Sequence, residues 1–408
     1  MWGLFVVGGF ATVAIGGLPA SAAASALASA APVLVFLAAL FVLAGALEQS
    51  GALRHLARGL VGRARRPEEL PAVIFVGFGL ASAFLVNDAL VVIGVPVLLA
   101  VARDRGLPSR PLLLSLAFAV TVGSVLTPFG NPQNLLVSID SGIRAPVTTF
   151  LRWLLVPTLI NLGLGALYLR WRYRRDLRAP DPSAGPWPGV VPRLLPRSGW
   201  GARLRRNPVL AVFPATVLAL VGTDVASAVA GVPEVPIWLT AAVGAAVLLA
   251  ASPSRGAVIR KANWQILLLF AGLFVVVAGA VHGGLVSAAT SAVRLPGPSR
   301  PVPSLLAITG TSVVGAQLVS NVPWVGLEIP ALVAAGFGPG TPVAWVALAG
   351  ASTLAGNVTL LGAASNLIVA DLGERAGVPI GLRAFVRDGL PIAALSLAVL
   401  LACLVVGL

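Results

Sequence analysis

The chain of 408 residues is 58% hydrophobic and only 10% charged, with a mean hydropathy of +0.96; a soluble domain of any size needs far more polar surface. Its net charge of +14 is what Lys and Arg held on the cytoplasmic side of a membrane produce, so a nucleic-acid partner is set aside. One cysteine, Cys403, and two histidines, His55 and His282, exclude an intrachain disulfide and an ordinary Cys/His zinc site, and the sole lysine, Lys261, sits in Arg-Lys-Ala-Asn, which is no P-loop.

In chain order, apolar segments fall at about 3–18, 30–50, 71–102, 111–139, 147–169, 208–230, 236–252, 264–289, 304–336, 342–370 and 384–408. Runs of about 20 apolar residues cross a bilayer core of about 30 Å. The first segment has no positive charge ahead of it. It therefore reads as a membrane helix rather than a signal peptide, despite Ala26-Leu-Ala-Ser-Ala30.

Two segments are unusual. Residues 71–102 carry Asn87 and Asp88 at their middle, and 304–336 carry Ser320 and Asn321. Each is too long for one span and too short for two, because its halves are only about 15 residues long. Both read as re-entrant hairpins with tips near the membrane midplane. Irregular backbone is tolerated there only where protein or water surrounds it.

With the N-terminus in the cytoplasm and each hairpin returning to its own side, all but Arg144, Arg152, Arg294 and Arg300 of the 28 Lys and Arg become cytoplasmic. That obeys the positive-inside rule. The two hairpins then enter from opposite faces, as in inverted-repeat transporters. The expected organisation is a first repeat over 1–169, a basic, lipid-facing cytoplasmic linker over 170–207 and a second repeat over 208–408.

The repeat also shows in the residues. Pro96 and Pro330 each stand nine residues after Asn87 and Asn321, and Thr127 to Asn134 matches Thr359 to Asn366, with Gly130 and Gly362 in register. Phe150-Leu-Arg152 matches Phe385-Val-Arg387, and Ala44-Gly45-Ala46 matches Ala278-Gly279-Ala280. Matches in the same order point to duplication.

Gly and Pro within 127–134 and 359–366 break helices in mid-membrane and leave polar backbone that needs a partner or a wet cavity. Two tips and two breaks define one candidate chamber. Helix N-termini there favour an anion, while unwound carbonyls and Asn, Ser or Thr oxygens suit sodium. The candidate substrate and ion contacts are Asn87, Asp88, Thr127, Asn131, Asn134, Ser320, Asn321, Asn357, Thr359, Ser365 and Asn366, with Gly130 and Gly362 as permissive backbone. Asn87 and Asn321 also suit helix N-caps. Asp88 is the ionisable residue at a tip and the candidate proton carrier. Glu328 pairs with an Arg or lines the path, and Glu48 and His282 lie at matching helix ends.

At these residues the chain resembles the ion transporter superfamily, which contains arsenite permeases, NhaD-type sodium/proton antiporters, divalent anion/sodium symporters and citrate-transporter-like domains. Asn87-Asp88 resembles the Asn-Asp of arsenite permeases, and Ser320-Asn321 the start of the dicarboxylate symporters' Ser-Asn-Thr, with Val322 in place of Thr. Thr127 to Asn134 and Gly356-Asn357 to Asn366 resemble the superfamily's polar breaks, and the likeness covers about residues 30–400. It implies an all-α polytopic protein of the cytoplasmic membrane with no cofactor. It implies alternating access by a hairpin core against a scaffold that dimerises, and transport of a small anion coupled to protons or sodium. An arsenite or antimonite efflux permease and, in another class, an ion channel are the rival readings. No metal motif or nucleophile–base pair points to an enzyme.

Overall fold

The computed structural model describes residues 2–177, 207–252, 254–285 and 295–408. Most of the linker over 170–207, and Arg294, lie outside the described residues. The first half runs α1 (Trp2–Ala14), α2 (Ala20–Ser29), α3 (Ala31–Ser50), α4 (Ala52–Val61), α5 (Leu70–Ser82), α6 (Asn87–Asp104), α7 (Ser109–Gly123), α8 (Pro132–Asp140) and α9 (Pro146–Tyr173). The second runs α10 (Val209–Ala230), α11 (Ile237–Ala251), α12 (Arg255–Lys261), α13 (Trp264–His282), α14 (Pro301–Val319), α15 (Asn321–Ala334), α16 (Pro342–Ala355), α17 (Ala364–Arg375) and α18 (Leu382–Val406). Among the described residues the fold is all-α, and seven helical spans are long and apolar enough to cross a membrane: α3, α7 with its following turn, α9, α10, α13, α14 and α18.

Helices that are apolar all round belong in the centre of a bundle. Accordingly, every residue of α7 from Pro111 to Gly123 and of α16 from Ala344 to Ala355 is buried. Backbones come close where small residues permit it. Gly123 of α7 lies directly on the carbonyl of Gly79 in α5, with no room for a Cβ.

The helix pairs are reciprocal. α5 packs on α7 as α14 packs on α16; α17 packs on α6 as α8 packs on α15; α11 packs on α3 as α1 packs on α13. This packing is consistent with an inverted repeat. The two closing helices, α9 and α18, meet each other, and buried Asp388 fastens them by accepting from Arg172 Nε at 2.9 Å and from Tyr173 Oη at 2.9 Å. α9 begins without a side-chain cap of its own. Asp224 of α10 supplies one, taking the N–H groups of Val147 and Thr148 at 2.9 and 2.7 Å.

Candidate functional site

The first interruption is dictated by proline. Pro128 and Pro132 push the residues before them out of the helical region, and Thr127 and Asn131 are indeed extended, at φ −134°, ψ 158° and φ −152°, ψ 161°. Pro132 then opens α8, where its missing N–H costs nothing. The interruption strips carbonyls of their helical donors, and Asn134 repairs this with one amide: its Nδ2 reaches the oxygens of Ser124, Val125 and Thr127 at 3.0, 3.3 and 3.0 Å. Asn131 Oδ1 caps α8 by accepting from Asn134 N at 2.8 Å. Thr127 donates to the Ala83 carbonyl in the turn after α5.

The second interruption, over residues 356–363, has no proline. Asn366 Nδ2 takes the Gly356 carbonyl at 2.7 Å and the Thr359 carbonyl at 3.4 Å, as Asn134 does in its own half. Additional hold comes from Gln317 of α14, whose Nε2 donates to the Ala355 carbonyl at 2.8 Å and whose Oε1 accepts from Thr359 at 2.7 Å. Gly130 lies against Ser124 and Gly362 against Gly356, each too close for a Cβ.

The turns between α5 and α6 and between α14 and α15 abut these interruptions. The Asn87 amide places Oδ1 on Ser124 Oγ at 3.1 Å and Nδ2 toward the carbonyls of Val120 and Gly130 at 3.1 and 3.3 Å. The opposite turn is Ser320, held at φ 73°, ψ 160°, a region that costs a residue with a side chain about 1–3 kcal/mol. Asn87 and Asn321 are each the first helical residue rather than the cap, and neither Val86 nor Ser320 makes a side-chain capping bond.

A cavity of about 70 Å³ separates the two turns. The first turns of α6 (Asn87, Asp88), α8 (Pro132, Gln133), α15 (Asn321, Val322, Pro323) and α17 (Ala364, Ser365) all line it, with Asn131, Ser320, Thr121, Thr353 and apolar residues of α13. No Lys or Arg does. Asp88 also lines a wider cleft of about 410 Å³ that runs to Arg260, Lys261 and Glu48, where Lys261 and Glu48 pair.

The structure therefore gathers Asn87, Asp88, Asn131, Ser320, Asn321 and Ser365 around one space. Thr127, Gly130, Asn134, Thr359, Gly362 and Asn366 lie behind it and hold the interruptions open. Asn357 lies farther back, its Nδ2 directed at the Phe118 carbonyl at 3.4 Å. Sequence reasoning missed Gln133, Thr121, Thr353 and Gln317. Gln133 stood inside the quoted Thr127–Asn134 stretch, and Thr121 and Thr353 stand in the same register, each six residues before Thr127 and Thr359.

Thr353 joins the halves. Its Oγ1 accepts from Asn131 Nδ2 at 3.2 Å and Gln133 Nε2 at 3.1 Å and donates to Asn134 Oδ1 at 3.2 Å, which fills the hydroxyl's capacity. In the mirrored position Thr121 Oγ1 donates instead to the Ala117 carbonyl of its own helix at 3.1 Å, and Asn366 Oδ1 has no partner.

Long apolar helices around a polar space are the build of a polytopic membrane transport protein, and the sequence matches place the chain in the anion and ion transporter superfamily. More narrowly, the chain belongs to the citrate transporter family, whose sequence profile matches residues 2–355. Membership makes it a transporter rather than an enzyme. It is 29% identical over 401 residues to the silicon efflux transporter LSI3 of Oryza sativa subsp. japonica, covering 85% of this chain and 80% of that one. An uncharacterized transporter of Mycobacterium tuberculosis is 28% identical over 381 residues, 90% and 83% of the two chains. The crystal structure of the Alcanivorax borkumensis YdaH transporter superposes with a TM-score of 0.60 at 19% identity, covering 94% of this chain and 86% of that one, a likeness of fold.

Proposed function

We propose that the chain is a secondary active transporter that moves a small anion across the cytoplasmic membrane by alternating access, coupled to protons or sodium. The observation that carries this reading is the meeting of four helix N-termini on one cavity. Free N–H groups and aligned helix dipoles favour negative charge there, as in transporters built on interrupted helices. In this reading α5–α6 and α14–α15 are re-entrant hairpins entering from opposite faces, the N-terminus is cytoplasmic, and the cleft from Asp88 to Lys261 is the cytoplasmic approach. Asn87, Asn131, Ser320, Asn321, Gln133 and Ser365 contact the solute. The amide and hydroxyl oxygens at the same tips offer sodium its ligands, and Asp88 is the candidate proton carrier.

A second reading is favoured by the similarity to the silicon efflux transporter and by the same lack of Lys and Arg in the cavity. A neutral hydroxylated acid, silicic or arsenious, would use the Asn, Gln and Ser groups as hydrogen-bond partners without needing a counter-charge.

The test is uptake into proteoliposomes across a panel of carboxylates, inorganic anions, arsenite and silicic acid, under imposed proton or sodium gradients. Saturable, gradient-driven accumulation of one anion supports the proposal. Accumulation of only the neutral acids selects the second reading, and large single-channel currents would refute a carrier. Asp88→Asn is expected to abolish proton dependence in folded protein, and an unchanged pH dependence removes Asp88 from coupling.

A further inference from the structure

Glu328 is a carboxyl group that the proposed solute cavity does not use. It lies on α15 two turns beyond Asn321 and is buried. Its Oε1 is 2.6 Å from Thr311 Oγ1 and its Oε2 is 3.1 Å from Ser312 Oγ, both on α14, and among the described residues no Arg pairs with it. The Trp324 indole, one turn earlier on the same helix, lies across Gly315 of α14 beside it.

The elements packed against α15 are α14, α16, α8 and α13. α14 and α16 carry no titratable residue; α8 brings only Asp140, at its last position, and α13 only His282, at its last position. No ion pair joins Glu328 to any described residue.

The hydroxyl distances fit either protonation state, and burial without a cationic partner among the described residues decides between them. An ionised Glu328 would rest on neutral donors in a membrane interior with no cation, an arrangement proteins avoid. A neutral Glu328 completes a chain. Its own O–H donates to Thr311 Oγ1, and Thr311 donates onward to the carbonyl of Ala307 at 2.9 Å or Ile308 at 3.1 Å. Ser312 then donates to the remaining carboxyl oxygen.

We propose that Glu328 is a proton-binding site: it carries one proton while α14 and α15 are packed together, and gives that proton to water when they part. In that step the carboxyl O–H bond breaks, the proton goes to a water molecule, and a solvated carboxylate remains until the helices close and it is reprotonated. Protonation in the packed state stands on the burial of this carboxyl among neutral hydrogen-bond partners. Only the use of the proton as a coupling ion rests on the transport reading above.

Infrared spectroscopy of the purified protein in liposomes tests it directly. At neutral pH the wild-type minus Glu328→Gln difference spectrum is expected to contain the carbonyl stretch of a neutral carboxylic acid, retained in Asp88→Asn and Asp140→Asn. Only ionised-carboxylate bands in that difference would overturn the proposal. Thr311→Val keeps the acid and removes its acceptor, and is expected to shift the band; an unshifted band refutes the donor pairing. For whichever anion the uptake panel identifies, Glu328→Gln is expected to lose accumulation driven by a pH gradient while keeping anion exchange. Retained pH-driven accumulation rules out Glu328 as a coupling site. A panel in which nothing moves sinks the transport reading and leaves the infrared result standing.

Discussion

Thr353→Val replaces a hydroxyl by a methyl group of similar size in the helix that joins the halves. The change leaves Gln133 Nε2 and Asn134 Oδ1 without the partner they have at 3.1 and 3.2 Å, whereas Asn131 Nδ2 keeps Ser124 Oγ at 3.0 Å. Two orphaned buried groups at about 1–3 kcal/mol each give a loss of roughly 2–6 kcal/mol, toward the lower end because Gln133 faces the cavity, where water is a substitute. The mirrored change, Thr121→Val, removes one bond to the carbonyl of Ala117, which already serves its own helix. It is expected to cost under about 1 kcal/mol. The assay is the thermal unfolding midpoint of each purified variant in detergent, with Thr353→Val melting well below Thr121→Val. Equal midpoints would show that Thr353 is not the joint between the halves and that the polar wiring is symmetric.

Three further outcomes are expected. Gly123→Ala sets a methyl group on the Gly79 carbonyl and should abolish folded yield in membranes, while Gly163→Ala, with open space around it, should leave yield unchanged. Ser320→Gly frees a residue held at φ 73° and should keep or raise the thermal midpoint, by up to about 1 kcal/mol, whereas the β-branched Ser320→Val should lower it. Asp224→Ala uncovers the N-terminus of α9, where the carboxylate takes two backbone N–H groups and the Thr148 hydroxyl at 2.6 Å, and should cost about 2 kcal/mol by the same unfolding measurement.

Much of this site was legible because its backbone is governed by local chemistry. Pro128 and Pro132 announce an interruption wherever they stand. The register of Thr127 and Asn134 with Thr359 and Asn366 carried that expectation to a second interruption that has no proline at all. The same register transferred roles as well as positions, since Asn134 and Asn366 both spend their amide hydrogens on stripped carbonyls. The unusual length of the segments around Asn87 and Ser320 was a signal of the same kind, because it reports how far a helix can run before the chain turns.

What the sequence withheld is the set of partners those backbones need. Gln317 and Thr353 are polar residues scattered in largely apolar helices, a pattern equally suited to a side chain bonded to its own helix, as Thr121 is. Their importance comes from what other segments bring against them: the Ala355 carbonyl and Thr359 for Gln317, and three amide side chains from more than 200 residues away for Thr353. Glu328 follows the same logic. The sequence left it to pair with an Arg or to line the path, and the neighbouring helix offers it two hydroxyls. A duplicated sequence repeats its breaks because Gly, Pro and Asn act locally, but the hydrogen bonds that fill them diverge, since in each half they are made with different neighbours. The unpaired oxygen of Asn366, opposite the satisfied one of Asn134, is that divergence at its plainest.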